Sequence, residues 1–195
     1  MSELVFLLEE ESAKAMLEGL LPRILDTRIA VRAIAFEGKQ DLEKQLEKKL
    51  KNYVNPNARF IIMRDQDSSP DCSAVKESLV DRCRNAGRAT SSFVRIACHE
   101  LETFYLADLA AVEEALAIPG LNARQDKAKY RFPDPLGNPS QELKKLTHER
   151  YQKVSGSRMI GQHLDPDNSR SPSFRNLVAA IRRWEHELLD ILSHA

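Results

Sequence analysis

The sequence is short of the features that mark several large classes of protein. Among its 195 residues there are three widely spaced cysteines, Cys72, Cys83 and Cys98, and no C-x-x-C pair. This pattern excludes a disulfide framework, and the Cys98-His99 pair lacks the further ligands of a zinc site. Neither charge is in excess, since 29 lysines and arginines balance 29 aspartates and glutamates. Composition therefore gives no basic field that would favour nucleic-acid binding.

Membrane-spanning and export signals are also lacking. No apolar run approaches the roughly 20 residues that cross a bilayer. The chain begins with the acidic Met1-Ser2-Glu3, which does not resemble a secretory signal. We therefore expect a cytoplasmic protein with reduced thiols and no membrane contact.

The stretch from Arg59 to Pro70 joins an apolar run to paired carboxylates. Phe60–Met63 predicts a buried parallel strand, and Asp65 and Asp67 follow it. Open α/β sheets bind ligands at the carboxyl ends of their strands, and an i, i+2 pair in a tight turn can converge on one Mg²⁺ ion. The alternative is a polar β-turn, because Asp, Ser and Pro are common turn residues.

Strand and helix patterns alternate over the first 98 residues. Strands are predicted at 4–8, 29–36, 60–63 and 92–97, and helices at 12–25, 41–53 and 74–86. Ser12 is the predicted cap of the first helix, in which Gly19 and Pro22 predict a kink or a break. The alternation with short connections predicts βαβ crossovers and a parallel sheet.

The second half of the chain predicts helices and loops without strands. Helical spacing runs over 101–116 and from Asn138-Pro139 onwards, and loops are predicted at 120–139 and 156–168. A last apolar helix opens at Ser171-Pro172 and could pair with a copy of itself as a homodimer. We expect an α/β core over 1–98 and a helical portion over 99–195 that packs on it as one compact unit.

Acidic residues follow both the first and the third predicted strand. Glu9, Glu10 and Glu11 come directly after the first strand. If the first and third strands are neighbours, a glutamate and the two aspartates 65 and 67 come within metal-sharing distance. This arrangement suits metal-assisted phosphoryl chemistry. The alternative is that the glutamates simply place negative charge at a helix N-terminus.

These motifs resemble Toprim domains, which occur in topoisomerases, bacterial-type primases and nucleases of the overcoming-lysogenization-defect (OLD) type. Leu7-Leu8-Glu9 resembles the glutamate strand of the domain, and Met63-Arg64-Asp65-Gln66-Asp67 resembles its Asp-x-Asp strand. Three further stretches resemble a family of small Toprim-like proteins of unknown function, often encoded beside ABC-type ATPases in bacterial defence loci. They are Asp71-Cys72, Glu100-Leu101-Glu102-Thr103-Phe104-Tyr105-Leu106-Ala107-Asp108 and Ser171-Pro172-Ser173-Phe174.

The resemblance implies a Toprim-like parallel sheet flanked by helices, with a helical C-terminal extension. It implies that Glu9 is a general acid/base or metal ligand and that Asp65 and Asp67 hold Mg²⁺ or Mn²⁺. It also implies a nuclease that acts on DNA or RNA with a separate ABC-type ATPase in defence against phage. Two positions depart from the family: Glu10 replaces a glycine and Ala13 an acidic residue, so Glu11 would have to serve a second metal.

Further charged residues are weaker candidates. Glu100 and Glu102 follow the fourth strand and could join the acidic edge, whereas helix capping is the favoured role for Asp108. Arg170 and Arg175 flank the start of the last helix and could face phosphates.

Two other functions remain open from the sequence. A degenerate Toprim scaffold could bind an ATPase or nucleic acid without catalysis, which the neutral net charge and Ala13 favour. A phosphatase of the haloacid-dehalogenase class also uses Asp-x-Asp after a strand. Here a serine, Ser69, replaces its threonine, and no convincing downstream motif appears.

Overall fold

A computed structural model of the chain describes residues 2–194, so Met1 of the acidic start lies outside the described residues. Four strands form one sheet: β1 (Glu3–Leu8), β2 (Ala30–Ala35), β3 (Ala58–Asp65) and β4 (Ser92–Ala97). The first three helices connect them: α1 (Glu11–Ile24), α2 (Lys39–Lys51) and α3 (Cys72–Asn85). Six follow: α4 (Glu102–Leu106), α5 (Leu109–Leu116), α6 (Ala128–Arg131), α7 (Pro139–Leu146), α8 (Lys153–Gly161) and α9 (Pro172–Ser193).

The sheet is parallel throughout and has the strand order β2-β1-β3-β4. The predicted parallel α/β architecture is therefore confirmed, and β1 and β3 are neighbours. Because side chains alternate along a strand, β1 supplies both faces of the sheet. Leu4, Phe6 and Leu8 pack against α1 and the helices of the second half, while Val5 and Leu7 pack against α2 and α3.

The last helix lies against the sheet of its own chain. Trp184 stacks on Phe93 of β4, with ring centroids 4.3 Å apart, and its indole N–H donates to the Phe60 carbonyl at 3.1 Å. Ser171 caps the helix by accepting from the Phe174 amide, as predicted. The apolar face proposed for a homodimer is thus buried inside the chain, because it covers one face of the sheet.

Two local predictions differ from the structure. Helix α1 runs from Glu11 to Ile24 without the predicted break, and Pro22 lies in its last turn, where it removes one backbone donor without ending the helix. Its cap position is Glu10, and Ser12 lies inside the helix with its hydroxyl donating to Glu10 Oε1 at 2.6 Å.

The first six residues of the predicted loop at 156–168 belong to helix α8, which packs closely on α1. The backbones approach at glycines: a Cβ on Gly19 would lie 2.6 Å from the Arg158 carbonyl oxygen, and one on Gly161 would collide with the Met16 carbonyl oxygen. Small residues gave this segment a loop-like composition, although their role is close helix packing. Within residues 2–194, no helix is both long and apolar enough to cross a membrane.

Candidate functional site at the carboxyl edge of the sheet

Two carboxylates meet where β1 and β3 end side by side. Glu9 directly follows β1, and its backbone N–H donates to the Met63 carbonyl at 3.1 Å, which extends the ladder by one step. Asp65 is the last residue of β3, and its backbone N–H donates to Glu9 Oε2 at 3.0 Å. The Glu9 side chain is therefore held at the end of the neighbouring strand. This juxtaposition is the one that the sequence predicts for adjacent parallel strands.

Asp65 is buried in a negatively charged environment. Only 9% of the residue is exposed, and its carboxylate accepts from the Leu101 backbone. Burial, followed by the charge of nearby carboxylates, holds the pKa of Asp65 well above its usual range; those carboxylates belong to Glu9, Glu10 and Glu102. Burial likewise raises the pKa of Glu9 and of Glu102. Such a cluster is unfavourable without a compensating cation.

Asp67 has different charged neighbours from Asp65. Its backbone is left-handed, with φ 54°, and its N–H donates to the His99 carbonyl at 2.7 Å. Its carboxylate oxygen Oδ2 lies 2.9 Å from Lys39 Nζ and 3.8 Å from Arg64 Nη2. The sequence allowed both aspartates to converge on one ion, with a polar turn as the alternative. In the structure Asp65 lies among carboxylates, while Asp67 is paired with the cations of Lys39 and Arg64.

Arg64 is a buried cation at the centre of this edge. Only 7% of the Arg64 surface is exposed, and the Arg64 Nε donates to the Asp65 carbonyl at 3.0 Å. The guanidinium also pairs with Glu43 of α2 and lies 3.8 Å from Glu9 Oε2. A guanidinium with several carboxylate partners is well suited to remain charged when buried. Arg64 therefore ties the end of β3 to β1 and α2.

Helix α8 and the residues just before it bring in side chains that sequence reasoning missed. Lys153 Nζ lies 2.6 Å from Glu10 Oε2, and the Tyr151 hydroxyl donates to Glu102 Oε1 at 2.9 Å. Burial alone would lower the pKa of Lys153, but its hydrogen bond to Glu10 raises that pKa. Nothing local indicated that α8 would reach residue 10.

The remaining predicted acidic residues are engaged elsewhere or at the margin. Glu11 pairs with Lys14 on the exposed first turn of α1. Glu100 Oε2 accepts from the Ser140 N–H at 2.8 Å, at the start of α7. Asp108 caps α5 through the Ala111 N–H, as the capping interpretation expected, and also accepts from Asp165 N–H.

A polar cleft of about 650 Å³ opens beside Asp67. It is lined by the start of α2 and by the loops after β3, after β4 and before α7; the lining residues are Lys39, Gln66, Asp67, Ser68, Ser69, Pro70, His99, Glu100, Gly137 and Asn138. Arg170 and Arg175, the weaker candidates for phosphate contact, are not among them. Gln66 joins two of these loops, since its side chain donates to Ser69 O at 2.8 Å and accepts from His99 N–H at 3.3 Å.

The donors at this edge match a hard divalent cation in chemistry. Glu9, Asp65 and Asp67 offer only carboxylate oxygens, which Mg²⁺ and Mn²⁺ prefer. Within residues 2–194, no three His, Cys, Asp or Glu side chains are arranged as a ready set of ligands. The pairing of Asp67 with Lys39 and Arg64 is one visible reason. The donor type therefore fits the ion, while the geometry requires a rearrangement of Asp67.

The fold and site define a parallel α/β protein with carboxylates at the ends of adjacent central strands. The chain belongs to the family described as Domain of unknown function (DUF4276), whose profile matches residues 8–182. Comparison with curated proteins by sequence found no match. Among solved structures, it is similar to the C-terminal region of the Burkholderia pseudomallei OLD protein. The TM-score is 0.52 at 16% identity, and the match covers 93% of this chain and 98% of that chain. This similarity confirms the predicted fold class and concerns the fold alone.

Proposed function

We propose that the chain is a metal-dependent nuclease of the Toprim type, which hydrolyses phosphodiester bonds in DNA or RNA. The observation that carries this proposal is the contact between Glu9 Oε2 and the Asp65 N–H at the ends of two adjacent parallel strands. Ligand and metal sites of open α/β sheets lie at such strand ends. The similarity in fold to the OLD C-terminal region supports the proposal.

Glu9 and Asp65 would hold Mg²⁺ or Mn²⁺, with Asp67 as a third ligand. The ion, when bound, neutralises phosphate charge and lowers the pKa of an attacking water. Burial and the charge of neighbouring carboxylates raise the pKa of both Glu9 and Asp65, so binding a cation here relieves that repulsion. Lys153 adds a positive charge beside Glu10, which partly offsets the same cluster.

Metal binding and cleavage test this proposal together. Calorimetry should detect Mg²⁺ or Mn²⁺ binding, and labelled single- and double-stranded DNA and RNA should be cut only with the metal present. Glu9→Gln and Asp65→Asn should each abolish both signals. Glu11→Gln is the matched control, because this exposed glutamate pairs only with Lys14 among the described contacts. Cleavage that survives in the Glu9→Gln/Asp65→Asn double variant would refute the proposal.

We also propose that the nuclease works with a separate ABC-type ATPase in bacterial defence against phage. The support is the resemblance to small Toprim-like proteins encoded beside such ATPases. The cleavage assay should therefore be repeated with the ATPase encoded next to this chain, with and without ATP. Cleavage stimulated by the ATPase is the expected result, and equal rates with and without it would contradict the partnership.

A non-catalytic scaffold is the second candidate, and one observation favours it. Asp67 is neutralised by Lys39 and Arg64 rather than left free for a metal. A scaffold should bind the ATPase or nucleic acid and show no cleavage with any divalent metal. The phosphatase alternative has less support, because Asp65, its required nucleophile, is 9% exposed among other carboxylates.

A further inference from the structure

Lys39 and Asp67 form an ion pair, and both residues line the polar cleft. Lys39 is the first residue of α2, and Asp67 follows β3; the ammonium and the carboxylate are 2.9 Å apart. Their side chains are 46% and 33% exposed. An ion pair in contact with water contributes little to stability, so a competing ligand can displace it at small cost.

The two cations on Asp67 differ in how firmly they are held. Arg64 is buried and anchored by Glu43 and by the Asp65 carbonyl as well. Lys39 is a long, half-exposed side chain at the start of a helix. The Asp67 backbone is held in place, because its N–H is bonded to the His99 carbonyl in a left-handed turn. Lys39 is therefore the partner that can leave, which frees the Asp67 carboxylate to turn while its backbone stays in place.

The cleft that Lys39 lines is rich in hydrogen-bond donors. Besides Lys39, its lining includes Ser68, Ser69, Asn138 and His99, whose side chains carry groups that can donate hydrogen bonds. Charge-assisted hydrogen bonds from such groups suit a tetrahedral phosphate. A phosphate in this cleft would compete with Asp67 for Lys39.

We propose that the cleft binds a phosphate group of the ligand through Lys39, and that the movement of Lys39 releases Asp67 to complete the metal site. Phosphate and metal then bind cooperatively. Phosphate draws Lys39 away from Asp67 and so frees Asp67 for the metal, while the metal draws Asp67 away from Lys39 and so frees Lys39 for the phosphate. By linkage the coupling is reciprocal: metal tightens phosphate binding by the same factor. This inference rests on the proposed metal site and adds the residue that controls access to it.

Calorimetry with Mg²⁺ tests the coupling without any need for cleavage. The full chain is titrated alone, with inorganic phosphate, and with a hydrolysis-resistant phosphorothioate oligothymidylate, each corrected by a titration without protein. Wild type should bind Mg²⁺ about five-fold more tightly, or better, when a phosphate ligand is present. Coupling with the oligonucleotide alone identifies a phosphodiester ligand, and coupling with inorganic phosphate alone identifies a free phosphate.

Lys39→Met removes the ammonium but keeps the length of the side chain. It should bind Mg²⁺ roughly three-fold more tightly than wild type without phosphate, and phosphate should add nothing. In EDTA it should lose affinity for the phosphate ligand. Lys129→Met is the control, since Lys129 forms a similarly exposed pair with Glu142 elsewhere.

The outcomes separate the two proposals. If wild type and Lys39→Met bind Mg²⁺ equally and phosphate changes neither, the coupling is refuted while the metal site stands. If neither protein binds Mg²⁺ with or without phosphate, the metal site itself is refuted, and the coupling with it. Thermal melts of all variants establish that each is folded.

Discussion

At the scale of single residues, Asp65 places a charge where the fold disfavours one. It is buried beside three other carboxylates, and the structure stabilises it through one backbone hydrogen bond from Leu101. If the proposed metal site is correct, the metal-free protein carries this repulsion and a bound cation relieves it. The proposed function and stability then oppose each other at this position.

Asp65→Asn should stabilise the metal-free protein. The amide keeps an oxygen that can accept from Leu101 but removes the buried charge, for an expected gain on the order of 1 kcal/mol in the free energy of unfolding. This corresponds to a rise in Tm of about 2–4 °C for a chain of this size, measured at pH 7 in EDTA. Asp81→Asn, an exposed aspartate on α3, is the control and should change little. A lower Tm for Asp65→Asn would contradict the repulsion argument.

Glu3 is the opposite case, a buried carboxylate with ample partners at the far end of β1. Burial acts to raise its pKa, but hydrogen bonds from Asn55, Tyr53 and Arg32 outweigh burial and lower the pKa below 4.5. Because the native state then binds the proton less tightly than the unfolded chain, Glu3 stabilises the fold above pH 4.5. That stabilisation is lost as the pH falls through the native pKa.

Glu3→Gln should therefore destabilise the protein in a pH-dependent way. Urea unfolding at pH 7 should show a loss of about 1 kcal/mol, since charge-assisted hydrogen bonds are replaced by neutral ones. At an acid pH below the native pKa of Glu3, where its carboxylate is protonated, the difference from wild type should shrink towards zero. A difference that is the same at both pH values would exclude the charge as its cause.

At the scale of elements, the contact between α1 and α8 places the Lys153 ammonium beside the Glu10 carboxylate at the acidic edge of the sheet. This contact depends on Gly19 and Gly161, where the two helix backbones touch. The colliding atoms are backbone carbonyls, which cannot move aside as a flexible side chain would.

Gly161→Ala should destabilise the protein by about 2 kcal/mol or more through overpacking. Gly137→Ala is the matched control, because nothing lies within 4 Å of a Cβ built at this position. Urea unfolding of both variants measures the difference. Equal stabilities would show that α8 can shift without cost and that its position on α1 is not well determined.

At the scale of the whole molecule, the second half of the chain completes the core of the first. Helix α9 covers the sheet, and its Trp184 contacts both Phe60 and Phe93. The division into a core over 1–98 and a helical portion over 99–195 stays a prediction, as does their unfolding as one unit.

Trp184, the only tryptophan, reports on this contact directly. Urea unfolding followed by its fluorescence and by far-UV circular dichroism should give coincident transitions, because exposing the sheet face under α9 leaves the core incomplete. A fluorescence midpoint clearly below that of the dichroism would mean that the helical portion separates first.

Most of the sheet could be predicted from the sequence, and the reason is physical. Three local patterns indicate the sheet: the apolar runs, the turn residues between them, and the acidic residues Glu9 and Asp65 at strand ends. Parallel strands bring such end residues to the same edge of the sheet, independently of the conformation of the loops. The position of Glu9 beside Asp65 depends on the strand order β2-β1-β3-β4, in which β1 and β3 are neighbours, and the local patterns did not decide that order.

The rest was decided by the tertiary structure alone. Lys39 and Asp67 are 28 residues apart in the sequence, and Lys153 and Glu10 are 143 apart. Neither contact is indicated by a periodic pattern in the sequence. The left-handed turn at Asp67 and the glycine contact of α8 depend on which surfaces pack together. The sequence by itself determined the parallel sheet and the edge where carboxylates gather, because both arise from local periodicity. Only the packing of distant segments decided which cations oppose those carboxylates.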